Sequence, residues 1–151
     1  MNNTDQIKSI LTEQVSGYRS LLNILQRERE CLLQFDPRGV EALSKEKDTN
    51  VLKLRLLEEE RIRLVHAFVT GRAVAEESAF EKLSEIAGDD SLQRLRLQLV
   101  SLLQSIMELN SFNRVLIERS ASVVKNALNF LGSVGITVAS QGSGRLLSKE
   151  A

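Results

Sequence analysis

Residues 92–130 read LQRLRLQLVSLLQSIMELNSFNRVLIERSASVVKNALNF. Core-type positions recur through this stretch at alternating spacings of three and four: Leu92, Leu95, Leu99, Leu102, Ile106, Leu109, Asn113, Leu116, Ser120, Val123, Ala127 and Phe130. The spacing predicts one helix with a coiled-coil seam. At about 1.5 Å per residue it is roughly 58 Å long, too long for a compact domain to enclose, so other long helices must lie beside it. The seam changes character midway. Six strong apolar residues precede Asn113, and the remainder includes Asn113, Ser120 and Ala127; where the seam weakens, a partner is expected.

Breakers are few in the rest of the chain, and they divide it. Ahead of the only proline, Pro37, the residues Leu11, Val15, Tyr18, Leu22, Leu25 and Leu32 mark one face of a helix from about Thr4 to Gln34. Gly17 weakens that helix by roughly 1 kcal/mol relative to alanine. Asp36-Pro37 reads as a helix start, the acid at the cap and the proline in the first turn, with Phe35 placed to close the corner. A second helix follows from about Pro37 to Thr70 through Val40, Leu43, Val51, Leu54, Leu57, Leu64 and Phe68. Lys47 and Arg61 interrupt its seam, as Arg29 interrupts the first. Such residues either fix register at some cost in stability or extend their charged ends into water, and a thin bundle favours the second.

Gly71 ends the second helix, and a short crossing helix is expected over Glu77–Ala87 through Phe80, Leu83 and Ile86. Gly88 closes it, and Asp89 and Asp90 cap the long helix. Past Leu131, Gly132, Gly135, Gly142 and Gly144 are half of the chain's eight glycines. A helical domain over 1–131 with a flexible tail over 132–151 is expected, in which Leu146 and Leu147 form a patch able to dock locally. The expected fold is all-α, an elongated antiparallel bundle of three long helices, up-down-up, plus one short crossing helix; no sustained period-two run points to a strand.

Composition narrows the function. Twenty basic and twenty acidic residues give zero net charge, which lacks the footprint of a nucleic-acid binder. Cys31 is alone, so an internal disulfide is excluded and a reducing compartment suits the chain. The first residues lack a secretory pattern, and no stretch has the about 20 mostly apolar residues of a membrane span. The expected location is the cytoplasm, with no membrane insertion.

Little here can do chemistry. His66 is the only histidine, which excludes a di-iron bundle or a histidine-rich zinc site. A phosphate-accepting histidine on a bundle usually has a lysine and a glycine just after it, whereas Ala67, Phe68, Val69 and Thr70 follow here. Glu58, Glu59 and Glu60 point about 100° apart around a helix and cannot converge on one ion. Gly142-Ser143-Gly144 has no strand before it and no Gly-Lys-Ser or Gly-Lys-Thr after it, so it is not a phosphate loop. Neither catalytic residue, cofactor nor metal is assigned, and an enzyme is not expected.

The last helix instead carries surplus apolar surface. A second stripe of Ile117, Ala121, Val124, Leu128 and Leu131 runs beside the seam residues Leu116, Val123 and Phe130. Together they exceed the ~100° arc that a bundle helix buries. The expected binding strip comprises Asn113, Leu116, Ile117, Ser120, Val123, Val124, Ala127, Leu128, Phe130 and Leu131, with Asn113 and Ser120 setting register or close approach within it. The short crossing helix, the tail or a second copy of the chain would also cover such a strip; between self-association, which would make this a structural coiled-coil homodimer, and a foreign helix, periodicity leaves both equally open.

Two blocks resemble the bacterial flagellar export chaperone family FlgN. One is Phe35-Asp36 followed by Leu43, Glu46-Lys47, Leu54, Leu57 and Arg61; the other, which is the more specific, is Leu109-Asn110-x-x-Asn113-x-x-Leu116-Ile117-x-x-Ser120. The resemblance spans most of residues 7–131. It implies a cytoplasmic chaperone of flagellar type III export that binds the C-terminal helices of the hook-filament junction proteins FlgK and FlgL through its own C-terminal region. It also implies that the chaperone prevents their premature assembly and delivers them to the export gate protein FlhA. The tail tyrosine that family members often use at the gate has no counterpart, since the only tyrosine is Tyr18; Ile136 or other residues would have to serve.

Overall fold

The computed structural model describes residues 2–138 and 147–149. Three long helices dominate it: α1 (Asn3–Leu33), α2 (Pro37–Val69) and, after the short α3 (Glu76–Ala79) and α4 (Leu83–Ala87), α5 (Asp90–Ser133). The all-α expectation holds. Each boundary has a local cause. Asn2 Oδ1 accepts the Asp5 N–H ahead of α1, and Asp36 accepts the Gly39 N–H around Pro37. Gly71 and Gly88 take φ of +81° and +65°, a region that strains other residues, where α2 and α4 stop. Asp89 caps α5 through Ser91 and pairs with Lys8 of α1, and these bonds hold its carboxyl well below the usual carboxylate range.

α1 is the middle helix, packed along both α2 and α5, whose own backbones stay apart while their side chains meet in shared core clusters. α2 returns antiparallel. α5 runs parallel to α1, because Leu92 and Leu99 join Ile7, Leu11 and Val15 at one end, whereas Ile106 and Leu109 join Leu21 and Leu25 further along. Facing two neighbours, α1 turns inward a heptad-spaced seam of Ile7, Leu11, Gln14, Tyr18, Leu21, Leu25, Glu28 and Leu32, of which Tyr18 is only half-buried. Leu22 falls beside this seam rather than in it. At Gly17 the α2 side chain of Leu54 comes within 2.6 Å of where a Cβ would stand, so the glycine permits the close approach of the two helices.

Three expectations are corrected. The crossing segment is two short helices, because Lys82 adopts φ −92° and ψ 1° and breaks the ladder between them, while Ala79 and Leu83 on either side stay buried. Phe35 does not close the corner: it takes φ +52° to reverse the chain, and its side chain is 73% exposed. A bulky residue in that region is strained. We expect Phe35→Gly to raise stability by about 1 kcal/mol, read as a higher urea midpoint; a lower midpoint would mean that the ring packs after all.

The third correction concerns the tail. Ile136–Val138 (β1) pairs antiparallel with Leu147–Lys149 (β2), Ile136 opposite Lys149, where no strand was expected. Gly135, at φ +77°, turns the chain out of α5, and the branched run Ile136-Thr137-Val138 favours extended backbone. The expected flexibility over 139–146 and 150–151, and the docking of Leu146, lie outside the described residues.

Candidate functional site

A buried polar layer ties the three long helices together. The Glu28 carboxylate of α1, 3% exposed, accepts Lys47 Nζ of α2 at 2.8 Å and Asn113 Nδ2 of α5 at 2.9 Å. The same Asn113 amide donates to the Leu25 carbonyl at 2.9 Å. Two heptads earlier on α1, Gln14 donates to Glu58 at 2.7 Å. Arg61 binds that carboxylate and lies over the Phe80 ring, 4.2 Å from its centroid. The Arg61 hydrogen bond, helped by Gln14, draws the Glu58 carboxyl below its usual range against the opposing effect of burial. Buried polar groups find one another only in a single alignment, so these layers fix register. Lys47 therefore serves as a register-setting partner rather than as a charge extended into water, whereas Arg61 binds Glu58 within its own helix and holds the carboxylate that Gln14 of α1 meets.

That register decides what α5 exposes. Asn113 lies against Leu25 and Glu28, and both helices rise by the same step, so Leu33 at the end of α1 falls opposite about residues 119–120. Among the described residues no helix accompanies α5 beyond this point, and only β1 lies against it. From Ala121 to Phe130 every residue is exposed, including Val123, Val124, Leu128 and Phe130. Ile117 is also exposed, while Leu116, Ser120 and Leu131 are half-buried.

Nine of the ten strip residues are thus brought together on or beside the overhang, and Asn113 is set apart. It is 1% exposed, and both hydrogen bonds of its amide nitrogen go to α1, so its register role belongs to the chain's own bundle. The nine are not one face. Leu116, Val123 and Phe130 form one stripe; Ile117, Val124 and Leu131, each one residue on, form another about 100° round the helix. Glu28 and Gln14 went unread in the sequence. Their signal was the four-three spacing from Ile7 to Leu32, which is regular only if both are counted as core positions.

His66 is exposed on α2. No described helix is long and apolar enough to cross a membrane. A family model described as FlgN protein matches residues 1–136. No curated protein and no solved structure matches the chain significantly.

Proposed function

The chain belongs to the FlgN family of flagellar export chaperones, and from that premise we propose that it is a cytoplasmic chaperone whose α5 overhang holds the C-terminal helices of the junction proteins FlgK and FlgL. The observation that carries this reading is the run of exposed apolar side chains from Ile117 to Phe130, on a helix that outlasts its neighbours. An uncovered helical strip of this kind takes up a helix by burying apolar area. Occupying it masks the surface a client would use to assemble, and release at FlhA would complete delivery.

The test is binding of a FlgK or FlgL C-terminal fragment to the full chain. Val124→Asp with Leu128→Asp should weaken it by about 100-fold or more, because two charges would be buried without partners. Helical circular dichroism should not change. Unfolding of the double variant, or unaltered binding, would remove the basis of the proposal. A tight dimer that the fragment cannot open would assign the overhang to self-pairing instead.

A further inference from the structure

An apolar groove of about 450 Å³ opens where the α1–α2 corner faces α5. One wall is Leu32, Phe35 and Val40; the other is Ile117 and Val124, with Cys31 at the side of the groove. Ile117 and Val124 also belong to the second stripe of the overhang, so groove and stripe are continuous. Phe35 holds its exposed ring at this mouth in a strained backbone conformation. The helical wall presents apolar side chains at helical spacing, which the ridge of another helix matches. From Ile117 to Leu131 it offers about four turns, roughly 21 Å.

Charge selects the occupant. Between Asn113 and Ser133, α5 carries Arg114, Arg119 and Lys125 against Glu118, and no ion pair among the described residues involves any of the four. Arg114 and Lys125 border the Ile117–Val124 stripe with Glu118, and Arg119 lies on the far side of the helix; on the corner wall Asp36 is the one charged residue of the lining, and its carboxylate accepts the Gly39 N–H. A second copy would bring the same net-positive helix to the strip. A helix with acidic flanks would complement it.

We infer that the α1–α2 corner is the second wall of the client site. An amphipathic client helix with acidic flanks lies along Ile117, Val124 and Leu128 and inserts an apolar side chain between Phe35 and Val40. The inference rests on the chaperone reading of the overhang. Its test uses the full chain and two designed helical peptides of about 21 residues with leucines at three-four spacing, one flanked by glutamates and one by lysines. The glutamate peptide should bind about tenfold more tightly than the lysine peptide. Phe35→Ser with Val40→Ser, checked for helicity by circular dichroism, should weaken the glutamate peptide by about tenfold.

Cys31 gives a readout on the unsubstituted chain, since it is the only thiol and borders the groove. Bound peptide should slow its alkylation severalfold. If Val124→Asp with Leu128→Asp abolishes binding while the Phe35 and Val40 variant binds normally and Cys31 is alkylated at an unchanged rate, the corner is not a wall and the inference fails, with the overhang reading intact. Equal binding of the two peptides overturns the acidic-flank assignment. If neither variant affects binding, both readings fail, and a dimer that excludes the peptide gives the groove to a second copy and overturns the inference.

Discussion

Lys47→Met is expected to destabilise the protein by about 3 kcal/mol, the lower end of what breaking a buried ion pair costs. The reason lies in Glu28. With only 3% of its surface exposed, its carboxylate has two donors from other helices, Lys47 and Asn113. Methionine keeps the unbranched stem of Lys47 but leaves the charge with a single neutral donor in an apolar setting. Lys47 keeps roughly a quarter of its own side-chain surface in water, which is why the upper end of the range is not expected. The measurement is the urea midpoint with its slope, which separates a change in stability from a change in the unfolded state. A companion variant makes the test specific. Replacing Glu28, Lys47 and Asn113 together by apolar residues of similar volume should restore most of the loss. That variant should nevertheless hold α1 against α5 less uniquely, because nothing polar would then penalise a slip of one heptad. A full loss in the triple variant would show that the layer stabilises through packing rather than through paired charge.

The same residues show how much of the molecule its sequence disclosed. Helix ends were legible because capping chemistry is local: Asp36, Gly71, Gly88 and Asp89 each act within a few residues of themselves. The partnership of Lys47 with Glu28 was not, because it depends on a register between helices that no single helix encodes, and Glu28 in isolation resembles any solvated charge. Asn113, expected to set register within the binding strip, places its amide nitrogen against Leu25 and Glu28 of α1. Its position in the seam is the same whether the facing helix is a client or α1, and only the parallel placement of α5 beside α1 decides. Phe35 failed for a different reason. The corner requires a left-handed residue, and an aromatic there gives no local warning that its ring will stay in water. The overhang was legible as surplus hydrophobicity, although its starting point was set by the length of α1, a comparison between two helices rather than a property of one.

An alanine series along α5 should therefore show two regimes within one unbroken helix. Leu99→Ala is expected to cost about 3 kcal/mol, since Leu99 is buried among Ile7, Leu11 and Leu92 and its truncation leaves a cavity that long helices cannot easily close. Leu128→Ala, with the same chemical change in the same helix, should alter stability by less than about 0.5 kcal/mol, because its side chain already meets water. Helix propensity cannot account for the contrast, as leucine and alanine both rank among the good formers and any difference applies at both sites. Binding of a junction-protein fragment should reverse the order: Leu128→Ala loses affinity, and Leu99→Ala retains it wherever the protein remains folded. Measured at low protein concentration, a large stability loss at Leu128 would mean that the overhang is covered in the free chain. The division near Asn113 would then mark a change of partner within one assembled molecule, and the apolar end of α5 would not be held in reserve for a client.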